Sequence, residues 1–229
     1  MGVNFNILPA PVLDKRTALR FQEALMSAGV EFSGVTSDEN QLIVEKRIPF
    51  DLQIRVASQP LQPQPQRMGQ VAVIAPNPAG FALQNFISEA EAVLGAFEAL
   101  WPPASWQILS SDVALRCLYE SSTPHAFQEI WESRLRQSQE SLSRLGRPVL
   151  GGGLRFVMPP QGGSPDRSHV EVKIESYLPD PSKVFVEAIF LWPDPQPAGT
   201  TLNAGDRLME ADKYILDQVQ AFILEGQNA

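Results

Sequence analysis

The feature that most constrains the fold of this 229-residue chain is a second half that repeats the layout of the first. Three short segments of similar residues recur in the same order, and the spacing between the copies grows along the chain. They are Phe5-Asn6-Ile7-Leu8 with Trp106-Gln107-Ile108-Leu109, Phe21-Gln22-Glu23 with Phe127-Gln128-Glu129, and Glu89-Ala90-Glu91 with Glu210-Ala211-Asp212. Growing spacing is expected when a duplicated unit has longer loops in its second copy. The repeated residues are mainly those that build a core. The pattern therefore predicts a repeated scaffold and does not indicate catalytic or ligand-binding residues.

The first half is predicted to form a strand, a helix, three strands and a second helix. Alternating apolar residues indicate the strands, and apolar residues at 3.6 spacing indicate the helices. The expected bounds are a strand over 3–8, a helix over 14–28, strands over 42–44, 52–56 and 71–75, and a helix over 78–101. Asn77 and Pro78 are expected to start the last helix, and Trp101-Pro102-Pro103 to end it.

A proline-rich segment, residues 59–66, lies between the second and third of these strands. Alternating prolines disfavour both a helix and a central strand, so the segment predicts a long exposed hairpin tip with polyproline character. Pro60, Leu61, Pro63 and Pro65 are therefore candidate residues for contact with a partner protein.

The second half is predicted to repeat the same series of elements. A strand over 106–119 is expected to be bent or bulged near Ser110-Ser111, where its alternation shifts. The other expected bounds are a helix over 124–145, strands over 154–158, 170–177 and 184–192, and a last helix over 206–224.

The predicted class is α+β, with two related strand-helix-three-strand-helix units and antiparallel sheets covered by helices. The units span residues 1–103 and 104–229, related by a pseudo-twofold axis and packed as one compact body. This doubled layout resembles the duplicated small-molecule-binding modules of multidrug-sensing effector domains. The resemblance implies a ligand held between two related halves.

Charge and cysteine content narrow the functions that are expected. A net charge of −8 opposes binding to nucleic acid, which depends on Lys and Arg neutralising phosphates. The single cysteine, Cys117, excludes an internal disulfide and indicates a reducing compartment. With no signal-peptide pattern and no apolar run of about 18 residues, we expect a cytoplasmic protein without a membrane anchor.

Few residues suggest chemistry. His125 and His169 lack the spacing of metal ligands, so no metal or cofactor is expected. Cys117 alternates with apolar residues and is predicted to be a buried strand residue. Gly151-Gly152-Gly153 and Gly162-Gly163-Ser164 do not lie between a strand and a helix, so a flexible strand entry and a hairpin tip are expected instead of a phosphate loop; the triple glycine could also give a ligand access to the backbone.

Two further groups are candidates for a site. Glu171, Lys173, Glu175 and Glu187 could supply paired carboxylates, but alternation predicts an outward face of mixed charge. The aromatic residues that could line a ligand cleft are Trp131, Tyr177, Phe185 and Trp192.

The sequence favours a non-enzymatic protein that acts by contact with another protein or with itself. The Pro-rich segments 59–66 and 193–199 motivate this hypothesis. The alternative is a module that binds a small cationic or apolar ligand in the cleft between the two halves. An enzyme is the third hypothesis, and it would require titratable side chains that converge in a pocket.

Overall fold

The structure, a computed structural model, describes residues 1–61, 65–77, 80–160, 162–163 and 167–224. Strands and helices follow one another along the chain, with two short π-helical turns at 129–134 and 215–219. The strands are β1 (Gly2–Leu8), β2 (Gly34–Ser37), β3 (Gln41–Lys46), β4 (Leu52–Pro60), β5 (Arg67–Ile74), β6 (Gln107–Glu120), β7 (Gly153–Met158), β8 (His169–Ser176) and β9 (Lys183–Trp192). The helices are α1 (Lys15–Ser27), α2 (Leu83–Leu100), α3 (Ala126–Gln128), α4 (Gln139–Leu142), α5 (Ala204–Tyr214) and α6 (Gln220–Leu224).

The nine strands form one antiparallel sheet, in the order β2-β3-β4-β5-β1-β6-β9-β8-β7. The predicted class, α+β, is confirmed, but the sequence predicted sheets in the plural and there is one. β2 was missed because Gly34-Val35-Thr36-Ser37 is too short and too exposed to show alternation. Each half places its first strand beside its last, in the orders β3-β4-β5-β1 and β7-β8-β9-β6. A duplication requires this correspondence, and the duplication itself stays a prediction.

By compactness the chain divides into two units. The first unit is Met1–Val113 with Leu191–Met209, and the second is Ala114–Phe190 with the residues from Glu210 onward. These units are defined by compactness, whereas the predicted boundary between residues 103 and 104 separates the two proposed copies of a duplicated unit. That boundary stays a prediction.

The first unit is built around helices α1 and α2. Asp14 caps α1 as predicted, because its carboxylate accepts from the Thr17 N–H at 2.7 Å. The apolar stripe predicted for α2 is confirmed, since Phe86, Ala90 and Phe97 are all fully buried. α2 begins at Leu83 rather than at Pro78, with Ala82 as its N-cap. The predicted cap is therefore wrong, and positions 78 and 79 lie outside the described residues.

The helix predicted over 124–145 is wrong as a continuous element. After α3 the chain forms a π-helical turn, Glu129–Arg134, in which the Leu135 N–H donates to the Ile130 carbonyl. Arg136 then adopts a left-handed conformation with φ of 50°, which ends the helix. The polar run that follows has no apolar face to bury, so the helical periodicity is lost.

The burial of β6 confirms the predicted bend. Trp106 and Ile108 are buried before it, whereas Ser111, Val113 and Leu115 are buried after it. The buried positions change from even to odd numbers, as an extra residue in the strand requires.

The hairpin between β4 and β5 is tighter than predicted. Pro60 pairs with Arg67, and the Leu61 N–H donates to the Gln66 carbonyl at 3.0 Å. Pro60 therefore occupies a non-hydrogen-bonded position, where its missing N–H costs no ladder bond. Residues 59 and 60 belong to the strand, Pro65 is exposed, and Pro63 lies outside the described residues.

Glycines 151 to 153 are not a flexible strand entry. A Cβ on Gly153 would lie within 2.1 Å of the Ile174 carbonyl oxygen, and one on Gly152 would lie 3.0 Å from the Phe127 ring. The triple glycine is needed because this backbone packs directly against β8 and α3, which leaves no space for side chains. Of the other glycine-rich segment, Gly163 has a φ of 83° and Ser164 lies outside the described residues.

A ladder of charges crosses the outward face of the second unit. Glu187 on β9 accepts from Arg116 Nε and from Lys173 Nζ, each at 2.7 Å. Glu171 accepts from Arg155 at 2.8 Å and lies 3.6 Å from Lys173. The mixed charges do lie on the face opposite the helices, as alternation predicts, but Glu187 is buried there, with 7% of its surface exposed. The carboxylates are paired with cations rather than with each other.

In the described part of the chain, no helix combines the length and the apolar character of a membrane span.

We expect Gly69→Ala to lower the free energy of unfolding by about 1 to 3 kcal/mol, because overpacking forces neighbours to shift. A Cβ there would lie 2.7 Å from Pro11 Cδ and 2.8 Å from Ile7 Cγ1. The control is Gly95→Ala on α2, where a Cβ meets nothing within 4 Å. Urea unfolding should show the control gaining about 0.5 to 1 kcal/mol from helix propensity. Equal effects at the two positions would contradict the close packing at Gly69.

We expect Glu187→Gln to lower the free energy of unfolding at pH 7 by about 1 to 3 kcal/mol, because Arg116 and Lys173 lose a charged partner. Burial alone raises the pKa of Glu187, but the hydrogen bonds from Lys173 and Arg116 outweigh burial and hold the pKa below its ordinary value. A lowered folded pKa contributes stability above the unfolded pKa of about 4.3, and this stability is lost as the pH falls through the folded value.

Urea unfolding from pH 7 down to pH 3 measures this dependence. The difference between the wild type and Glu187→Gln should be greatest at neutral pH and should shrink in acid. Glu175→Gln, on the exposed end of the same sheet face, is the control and should change stability little. A difference that stays constant with pH would show that the Glu187 carboxylate is not held in its charged form.

Candidate functional site

The second unit contains an apolar groove of about 470 Å³ between the sheet and the C-terminal helical segment. Its size lies within the range of small-molecule sites, about 300 to 1,000 Å³. The lining residues are Phe156, Met158, Val172, Ile174, Tyr214, Asp217, Gln218, Val219, Ala221 and Phe222.

Strand alternation builds the floor of the groove. Phe156 on β7 lies opposite Val172 on β8, and Met158 lies opposite Val170. Even-numbered residues of both strands face the helices, while Arg155 and Glu171 face the other way. Val172 and Ile174 are 2% and 3% exposed, so the floor is apolar and closely packed.

A π-helical turn builds the wall. Residues Ile215–Val219 form it between α5 and α6, with Ile215 and Val219 buried. Such a turn carries an extra residue and is frequent at functional sites. Asp217 and Gln218 lie within this turn and line the groove, so they add polar groups to an otherwise apolar wall.

Tyr214 is the inner polar group of the groove. Its ring packs edge-on against Phe190, with centroids 5.4 Å apart, and its hydroxyl donates to Met158 Sδ at 3.4 Å. Burial raises the pKa of Tyr214. The hydroxyl therefore stays protonated near neutral pH and can donate a stronger hydrogen bond to a ligand than it makes to a thioether.

Two aromatic rings form the rim. Phe156 and Phe222 pack edge-to-face with centroids 5.7 Å apart, and their side chains remain 38% and 44% exposed. Exposed aromatic rings beside an apolar floor form a surface that can bury apolar groups.

Cys117 lies on the helix-facing side of β6, as predicted, although it is only half-buried. Burial raises the pKa of its thiol, and the charge of Asp212 adds to the shift. Burial also raises the pKa of Tyr119 and of Asp212 itself. Since a raised pKa disfavours the thiolate, the environment opposes a nucleophilic role for Cys117.

A buried acid of the second unit has a structural role. Glu129 accepts from Ser121 Oγ at 2.6 Å and from the Ser122 N–H at 2.7 Å. Burial alone raises the pKa of Glu129, but these hydrogen bonds and the nearby Arg134 lower it overall. The carboxylate thus ties the turn after β6 to the first π-helical turn.

The four aromatic residues predicted for a ligand cleft do not line the groove. Trp131 stacks on Phe127 and donates from Nε1 to the Ser138 carbonyl at 3.1 Å. Tyr177 and Phe185 stack on each other with centroids 6.5 Å apart, on the side of the sheet that carries Glu187. Trp192 belongs to the first unit, where the Arg207 guanidinium lies 4.1 Å from its ring centroid.

The residues that do line the groove were missed for a definite reason. Phe156 and Met158 come from a strand whose short alternating pattern was visible, but nothing in the sequence shows that the strand lies at the sheet edge. Asp217 and Gln218 lie at helical spacing from Tyr214 and Ala221, but nothing in the sequence shows that this face of the segment lines a groove.

The histidines are not brought together with other ligands. His125 is the exposed N-cap residue of α3, and His169 is the exposed first residue of β8. Over the described residues, no cluster of three or more His, Cys, Asp or Glu side chains could hold a metal ion.

Comparison with known proteins adds little to this geometry. No protein-family model matches the chain, and no curated protein matches it. Among solved structures, it is similar to the di-domain ARO/CYC StfQ from the steffimycin biosynthetic pathway, with 9% sequence identity over 98% of this chain and 95% of that one. The TM-score of this match is 0.20, too low to support any conclusion about fold or function.

Proposed function

We propose that the chain is a small-molecule-binding module whose ligand lies in the groove of the second unit. The observation that carries this proposal is an apolar groove of about 470 Å³ with one protonated hydroxyl at Tyr214 and polar groups only at its rim. Sites of this kind bury apolar ligand surface and fix orientation with a few polar contacts.

The lining chemistry suggests the class of ligand. The floor and the aromatic rim suit a flat apolar body, and Tyr214 can donate to an acceptor on that body. Asp217 lies at the mouth of the groove, and the chain carries a net charge of −8. A negative surface raises the local concentration of cations, so we favour an aromatic or polycyclic ligand with a positively charged substituent.

The groove favours binding over catalysis. Tyr214 and Asp217 are the titratable side chains among its lining residues. A tyrosine whose pKa is raised by burial is a poor general base, and Asp217 is exposed at the rim. The described lining residues thus support recognition of a ligand, and they offer no nucleophile with an adjacent base.

Two interpretations from the sequence stay predictions. One is the placement of a ligand in a cleft between the two proposed halves, since the groove belongs to the second unit alone. The other is a role in contact with another protein or with itself through the proline-rich segments.

We expect rhodamine 6G, a cationic aromatic dye, to bind the wild-type chain with micromolar affinity, and Ala221→Trp to weaken binding at least about tenfold by filling the groove. The control is Leu216→Trp, which adds the same ring at an exposed position outside the lining. Isothermal titration calorimetry measures both variants. Equal affinity for the wild type and Ala221→Trp would contradict binding in the groove.

Asp217→Asn tests whether the groove recognises the positive charge of the ligand in addition to its apolar body. We expect it to lower the affinity for cationic rhodamine 6G by about threefold to tenfold, a modest effect because a rim carboxylate is solvated. The affinity for Nile red should not change, because this dye carries no charge. The same calorimetric titration measures both dyes. A loss of affinity for both dyes would mean that Asp217 shapes the groove instead of recognising charge.

A further inference from the structure

Strand β7 ends the nine-stranded sheet, and one of its edges is turned away from β8. The Ser176 N–H donates to the Gly152 carbonyl at 3.0 Å, so even-numbered positions of β7 form the hydrogen-bonded pairs with β8. In an antiparallel ladder these pairs alternate with pairs whose backbone groups point to the other side. The N–H and C=O groups of Arg155 and Val157 therefore face outward, and no other strand of the described chain lies beside them.

This edge is less protected than the opposite edge of the sheet, although it carries the exposed Arg155. The opposite edge strand, β2, is four residues long and is followed by Asp38 and Glu39. β7 is six residues long, and its Phe156 and Val157 are 38% and 67% exposed. An exposed apolar edge strand is a template for pairing with a further strand.

We propose that β7 pairs antiparallel with β7 of a second copy of this chain, about a twofold axis at Phe156. Residues directly opposite each other in an antiparallel pair send their side chains to the same face of the sheet. When a strand pairs with its own copy, the twofold axis must therefore pass through a residue and not between two residues. Three registers would keep the exposed edge paired, with the twofold axis at position 155, 156 or 157. The side chains of β7 favour one of the three.

Two of these registers are unfavourable. Centring on Arg155 would set its guanidinium directly opposite that of the second copy, and like charges in this position are destabilising. Centring on Val157 would pair Arg155 with Pro159, which has no N–H to donate. Centring on Phe156 pairs Arg155 with the second copy's Val157, and each such pair can exchange both backbone hydrogen bonds.

The charges also suit the register centred on Phe156. Within one copy, Val157 lies opposite Glu171, and Arg155 donates to Glu171 while remaining 63% exposed. In the pair, the second copy's Glu171 would lie beyond its Val157, on the same row and face as Arg155. Each Arg155 would then lie between two carboxylates, and the charge ladder would continue from one copy into the other.

The pairing would also complete the groove. Phe156 would meet its counterpart as a non-hydrogen-bonded pair, the closer of the two kinds in an antiparallel ladder. The second copy would thereby contribute an aromatic ring to the open side of the groove. The pairing rests on the backbone and the charges of β7, so it does not depend on the proposed ligand.

Sedimentation velocity over a range of concentrations tests the pairing. We expect a reversible dimer for the wild type and a dissociation constant about tenfold higher or more for Val157→Lys, which places two cations opposite each other at both symmetric positions. Val157→Glu should keep the dimer at least as tight, because it places a carboxylate opposite Arg155. Leu19→Lys, at an exposed position of α1, is the control and should leave the dimer unchanged.

The two Val157 variants distinguish pairing from folding. Within one copy a lysine at 157 lies opposite Glu171 and is favourable, whereas a glutamate there is unfavourable. Urea unfolding of the monomer should therefore rank Val157→Lys above Val157→Glu, the reverse of their order in dimer affinity. The same order in both measurements would overturn the proposed interface.

Cross-linking tests the register. Phe156→Cys should form an intermolecular disulfide under mild oxidation, because a non-hydrogen-bonded pair holds its Cα atoms about 4.5 Å apart. Leu178→Cys, 67% exposed outside β7, is the control and should not. A wild type that stays monomeric at about 200 μM, where even a weak pair would be populated, would overturn the proposal. Dye binding by such a monomer would leave the groove's proposed function standing.

Discussion

The alternation of side chains along the strands is the constraint on which the other features depend. Each strand of an antiparallel sheet sends successive side chains to opposite faces, so one sequence must satisfy two environments. On β8, Val172 and Ile174 are buried under helices, while Glu171 and Lys173 carry paired charges on the outward side. The groove and the charge ladder are thus the two faces of the same few strands.

The groove lies between the C-terminal helical segment and strands β7 and β8. Asp217 and Gln218 lie within the π-helical turn over Ile215–Val219 and add polar groups to the groove wall. β7 is the last strand of the sheet, so no further strand borders the groove beyond it in the described chain. An apolar floor and a polar rim are the features on which the proposed ligand, mostly apolar and partly charged, rests.

The sequence predicted the elements better than their assembly. Local signals sufficed for the Asp14 cap, for the buried stripe of α2 and for the bend in β6, because each depends on residues a few positions apart. The close packing of Gly153 against Ile174 could not be predicted, because the two residues are distant in sequence. Glycine also has no side chain whose chemistry would indicate its neighbour. The aromatic residues predicted for a cleft do not line the groove, because an aromatic residue in a sequence indicates burial without indicating which neighbours it packs against.

Methyl NMR of the full chain during titration with rhodamine 6G tests the central claim most directly, because it reports where the ligand lies. If the ligand occupies the groove, the methyl signals of Met158, Val172 and Ala221 shift together, while those of Val3 and Val44, buried in the first unit, stay fixed. Shifts confined to methyl groups outside the groove lining, or no shifts at saturating dye, would contradict the assignment of the groove as the binding site.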